Sequence, residues 1–285
     1  MRRGIKITLI VFCSLIILLA GLMWGFFYKV KNGFPVSYET DQPTLQIPTS
    51  TTKRILLFSK TTGFRHSESI AAGKVALQKM AEDSRWFLHE TEAGGVFNSQ
   101  QLSQFDVVIF NNVTGRVLNE EQRNTFQTYV ESGGTFIGIH GAGDFSHPWD
   151  WYVTELIGAR FSHHSLDPQF QKTEISLRPA ANRALSRALP KTWSHTEEWY
   201  VFFENPSLTG SQILYSIDGE SINPNGNILW INDKNFGMGK DHRVAWSRKV
   251  KEGLAFYTSL GHAGEIWTQE PFLQMIKNVI ERPLL

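Results

Sequence analysis

The residues best placed to do chemistry sit between Phe136 and Asp144. An apolar run ends at His140 and is followed at once by Gly141, Ala142 and Gly143. A buried strand that stops on a polar residue with small neighbours delivers that side chain into a tight turn and then a helix, the geometry of a nucleophile elbow. The elbow residue here is an imidazole, suited to moving protons. The one cysteine, Cys13, lies in an apolar N-terminal segment, so thiol catalysis in the rest of the chain is excluded.

Other polar groups fall at equivalent places. A first apolar strand ends at Ser59 and Lys60 and leads towards His66. A third ends at Asn111 and Asn112, with Thr114 beyond. The strand before His140 leads on to Asp144, and a late strand runs out at Gly261 and His262, with Glu265 following. Open parallel sheets bind ligands beyond the carboxyl ends of their strands, so these groups are expected to share one crevice. The middle segment adds His163, His164, Glu197 and Glu198. Adjacent histidines on a strand point to opposite faces and do not readily share a metal. Neither a zincin spacing nor a cysteine pair occurs, so no metal signature is present and no cofactor is implied. The metal-site alternative would be assembled from His140, Asp144, His164, Glu198 and His262. Trp149, Trp151, Tyr152, Trp199 and Tyr200 would suit the apolar face of a sugar ring if they flank the crevice.

The elements that must position these residues alternate strand and helix from Arg54. Strands are expected at 55–58, 86–91, 107–110 and 136–139, with a helix at 67–83. Asn119 and Gln122 form a capping box for another helix, which ends at Gly133 and Gly134. Continuous apolar strands separated by helices indicate an α/β fold with a mostly parallel, doubly wound sheet. Short strands at 170–177 and 213–217, a hairpin spanning 242–260 and a closing helix at 271–280 complete the expectation.

Composition limits the partners. Of 28 basic residues, Arg2, Arg3, Lys6, Lys29 and Lys31 precede the first acid, Glu39; the remaining 23 face 27 acidic residues. A mildly acidic domain without a basic stripe is a poor nucleic-acid binder. Ile7 to Tyr28 carries no charge, and as a helix it would extend roughly 33 Å, enough to cross a bilayer. Trp24 and Tyr28 sit at one end as interfacial aromatics do. The expectation is a transmembrane anchor over 1–31 rather than a cleaved signal peptide, a tether over 32–52 and one domain over 53–285. The flanking charges place the N-terminus in the cytoplasm and the domain outside it, periplasmic or at the cell surface. A domain without cysteine suits an oxidising compartment.

Six ordered stretches, 54–68, 115–122, 136–144, 197–200, 241–246 and 256–262, resemble the ThuA-like, or trehalose-utilisation, family. The resemblance implies a flavodoxin-like fold similar to class I glutamine amidotransferases. That fold carries a cysteine at the elbow and a late histidine–x–glutamate pair. This chain has His140 at the elbow, and Glu265 one position beyond that spacing, so amidotransferase chemistry is not expected. Ser165 and Arg243 stand where the family tends to have proline. The family's association with trehalose and its 3-keto derivatives implies a small carbohydrate as partner and brings Tyr200, Asp241 and His242 among the candidate substrate contacts.

The favoured expectation is an anchored domain that transforms a sugar or 3-keto-sugar. His140 or His262 would be the base, with Asp144 or Glu198 as orienting or acid group. Asn112 and Lys60 would lie near the carbonyl oxygen, with His66, Thr114 and His164 as further contacts. The alternatives are a non-catalytic glycan-binding or scaffolding module and a metal-dependent hydrolase.

Overall fold

The computed structural model of the protein describes residues 2–32, 37–227 and 238–282. Residue 1 of the expected anchor, 33–36 of the tether, and 228–237 and 283–285 of the domain lie outside the described residues. Helix α1 (Arg2–Asn32) contains a stretch, Gly4–Lys29, long and apolar enough to cross a membrane and wholly unburied by the rest of the chain. A signal sequence has the same properties.

The chain from Ser37 lies against the domain. Lys60 Nζ bonds the Ser37 carbonyl at 3.0 Å and the Glu39 carboxylate at 2.5 Å. Gly94 N–H donates to that carboxylate, and Gln122 Nε2 donates to the Glu39 carbonyl.

The first half of the domain comprises β1 (Arg54–Phe58), α2 (Ser67–Ser84), β2 (Phe87–Thr91), α3 (Ser99–Leu102), β3 (Val107–Asn111), α4 (Glu120–Glu131) and β4 (Thr135–Ile139). Next come five strands, β5 (Phe161–His164), β6 (Gln171–Leu177), β7 (Thr192–Glu197), β8 (Tyr200–Phe202) and β9 (Gln212–Asp218). The hairpin β10 (Asp241–Val250) and β11 (Gly253–Thr258) and helix α5 (Glu270–Glu281) close it.

Nine strands form one sheet in the order β2-β1-β3-β4-β11-β10-β9-β6-β7, while β5 and β8 pair separately. From β2 to β11 all neighbours are parallel. This is the 2-1-3-4-5 order of flavodoxin-like sheets, with β11 as the fifth strand. Beyond it β10, β9, β6 and β7 extend the sheet antiparallel.

Alternation along each strand feeds two cores. Ile55 and Leu57 share one with Leu77 of α2 and Phe272, Met275 and Ile276 of α5. Leu56 and Phe58 share the other with Phe126 and Val130 of α4. Both faces of the parallel strands are therefore covered, as their uninterrupted apolar sequences require. Asn119 caps α4 with both capping-box bonds formed. The elbow differs from expectation in one respect. After His140 the chain makes only a 3₁₀ turn, His140–Gly143, and helical structure resumes as a short π-helical segment at Tyr152–Ile157.

Candidate functional site

Four strands end at one edge, and the loops beyond them carry the site. Asn112 and His140 follow adjacent strands, and both adopt left-handed backbone, with φ of 55° and 45°. Such conformations cost about 1–2 kcal/mol in non-glycine residues and persist where surroundings enforce them. The surroundings here are specific. Asn112 Oδ1 accepts from Gly141 N–H, and its Nδ2 donates to the Gly261 carbonyl and to Ser69 Oγ. One amide thus ties the loops after β4 and β11 to α2. At Gly261 (φ 128°) a Cβ would lie 2.7 Å from Ile139 Cγ2 and 3.2 Å from His140 Cβ, so only glycine lets this loop cross the elbow.

His140 is fully buried. Its Nδ1 lies 2.7 Å from the Ser259 carbonyl, which can only accept, so Nδ1 carries a proton and Nε2 is the nitrogen turned towards the rest of the cluster. That Nε2 is 3.2 Å from His262 Nδ1 and 3.5 Å from Glu198 Oε2. Glu198 Oε2 is 3.0 Å from His262 Nδ1. The His66 ring completes the cluster, 4.8 Å from the rings of both His140 and His262. The donor atoms of His66, His140, Glu198 and His262 all lie within 4.8 Å of one another, close enough to hold one metal ion.

Supporting groups orient the cluster. Glu198 Oε1 accepts from Gln169 Nε2 and lies 3.2 Å from His164 Nδ1. The buried Glu197 carboxylate accepts the backbone N–H groups of Gly261 and His262. Tyr200 packs its ring 4.1 Å from that of His140. Burial works against ionisation of Glu198, but hydrogen bonds from His140 and His262 outweigh it and hold the carboxyl well below its usual range. Burial likewise opposes protonation of His140, and the bond to Glu198 overcomes it and raises the imidazole. His66, further from the carboxylate, is pushed down, first by burial and then by its histidine neighbours.

The cluster opens towards solvent on one side. The His262 side chain is 19% exposed and that of His164 31%. Phe64 and Phe170, both exposed, pack edge-on against His66 and His262. These phenylalanines rim the centre in place of the expected tryptophans. Trp199 is buried, its indole N–H bonded to the Gln171 carbonyl. Trp149 and Tyr152 line a separate cavity of about 290 Å³ with Tyr38, Arg116 and Arg123.

His66, His140, His164, Glu198, His262 and Tyr200 thus come together, with Asn112 beneath them. Other expected residues are engaged elsewhere. Lys60 is taken by Glu39 and Ser37. Asp144 accepts from the Ser146 backbone N–H and side chain, which fixes its own turn, and lies 3.6 Å from His147. Thr114 Oγ1 donates to the Phe64 carbonyl. Asp241 pairs with Arg178 and Arg243, and His242 bonds the Tyr200 carbonyl from a buried position. Glu265 is exposed, so the carboxylate beside His262 is Glu198. Gln169, Phe64 and Phe170 were not legible in the sequence, since they lie in loops without periodicity.

A family model described as ThuA, trehalose utilisation, matches residues 54–281. A solved ThuA-like protein from Bacteroides uniformis is 19% identical, covers 87% of this chain and 94% of its own, and superposes with a TM-score of 0.66. Another, from Parabacteroides merdae, is 18% identical over 80% and 88% of the two chains, with a TM-score of 0.59. A beta-galactosidase from Bacillus circulans shares the fold over 30% of its own length and 79% of this chain (15% identity, TM-score 0.50). No curated protein matches the sequence.

Proposed function

Because the chain belongs to the ThuA family, we propose that it transforms a trehalose-type disaccharide in its 3-keto form, outside the cytoplasm and anchored by α1. The observation that carries this reading is the convergence of His66, His140, Glu198 and His262 at an open sheet edge rimmed by Phe64 and Phe170.

In a 3-keto glycoside the C2 proton is acidified by the adjacent carbonyl. His164 is the solvent-facing base: its Nδ1 is engaged by Glu198 and the Ser165 carbonyl, which leaves Nε2 to take the proton. The electron pair moves onto the C3 oxygen, which is placed at the solvent-facing side of the cluster beside His262. The enolate then collapses, a C1–C2 double bond forms, and the glycosidic C1–O bond breaks. The departing oxygen takes up a proton, so the products are a free sugar and an unsaturated keto-sugar. Phe64 and Phe170 supply apolar contact for the C–H faces of the rings.

Calorimetry and product analysis with 3-ketotrehalose and with trehalose test this reading. The full-length protein is expected to bind and cleave the keto-sugar and leave trehalose intact. Absence of binding to either would overturn it; binding without turnover would make the domain a glycan-binding module.

A further inference from the structure

We propose that His66, His140, Glu198 and His262 bind one divalent first-row transition-metal ion. The four residues come from the loop after β1, the end of β4, the β7–β8 turn and the loop after β11. The geometry supports the inference independently of any sugar. Tetrahedral coordination with bonds of about 2.0–2.2 Å requires donor atoms roughly 3.3–3.6 Å apart. The edges between His140 Nε2, His262 Nδ1 and Glu198 Oε2 are 3.0, 3.2 and 3.5 Å. Three donor atoms of a coordination shell are therefore nearly in place, with the His66 donor within 4.8 Å of each.

Three further features point the same way. The proton of His140 is fixed on Nδ1 by the Ser259 carbonyl, the outer-shell bond that metal-ligating histidines use to aim the other nitrogen. Glu198 Oε1 is likewise held by Gln169 and His164, leaving Oε2 facing the histidines. His66 is 93% buried, and its buried Nδ1 has no hydrogen-bond partner among the described residues. An uncommitted imidazole nitrogen is costly in a dry setting unless something else engages that ring.

Three imidazoles and one carboxylate suit zinc, iron or manganese, and not magnesium or calcium, which take oxygen ligands. The partly exposed side at His262 is where a water or substrate oxygen would join as a fifth ligand. In the reaction proposed above, on which this last role rests, the ion is the electrophile that receives the C3 oxygen.

The full-length protein, purified in detergent and stripped by chelator, is titrated with Zn²⁺, Mn²⁺ and Fe²⁺ in the absence of sugar. Bound ion and melting temperature are both read. About one ion per chain is expected, with melting temperature rising as the ion is added. Gln169→Ala, which removes only the support of Glu198, should weaken binding about 10–100-fold. Glu198→Gln and His262→Ala should weaken it further, while circular dichroism reports a retained fold. A folded wild-type chain that takes up none of these ions, or folded variants that retain the ion, would overturn the proposal. Metal uptake without turnover of any keto-sugar would leave this site standing and reject the sugar reading.

Discussion

At the scale of single residues, the histidines divide by what surrounds them. His140 and His262 share the Glu198 carboxylate, whereas His242 is buried against a backbone carbonyl with no counter-ion, and burial pushes it down from 6.5 to about 4. The unfolded chain therefore takes this proton first. His242 contributes its full stability above pH 6.5 and loses it progressively as pH falls towards 4, about 3 kcal/mol in all. Thermal unfolding at pH 7 and pH 5 should show a smaller acid loss for His242→Gln than for wild type, by roughly 2 kcal/mol. An equal loss in both proteins would place the acid sensitivity elsewhere. His140, His66 and His262 were legible in the sequence because each follows an apolar strand. Lys60 and Asp144 satisfied the same rule and are engaged elsewhere. Strand ends give the edge of the sheet, but neighbouring loops decide which polar groups remain available, and Glu39 reaches Lys60 from the segment read as a tether.

At the scale of elements, the parallel strands and their helices were readable because each is an uninterrupted apolar run between turn signals. The strands β5, β7 and β8 were not. Polar residues interrupt that signal in two of them: β7 alternates buried and exposed positions through Ser194, His195 and Thr196, and β5 is Phe161 followed by Ser162, His163 and His164. The third, β8 (Tyr200–Phe202), is apolar but only three residues long. The turn between β7, the outer strand of the antiparallel extension, and β8, in the separate two-stranded pair, is what brings Glu198 across to His262. The N-terminal helix tests a different reading. An uncleaved anchor predicts that full-length protein stays in the membrane fraction after an alkaline carbonate wash. A shortened, soluble product beginning after α1 would identify that helix as a signal sequence.

At the scale of the whole molecule, the fold combines a flavodoxin-order sheet with an elbow occupied by the buried His140. That residue sets the chemistry the edge can support, because a buried imidazole beside a carboxylate moves protons or holds a cation and forms no thioester. The central claim is that this histidine–glutamate centre acts on a keto-sugar. Its most direct test is the rate of sugar release from 3-ketotrehalose by full-length wild type and Glu198→Gln, both purified without chelator and compared at matched melting temperature. The account predicts release by wild type and a rate reduced at least ~100-fold in the variant, within the range of lost acid–base and electrostatic contributions. An inert wild type, or a Glu198→Gln variant that releases sugar as fast as wild type, would contradict it.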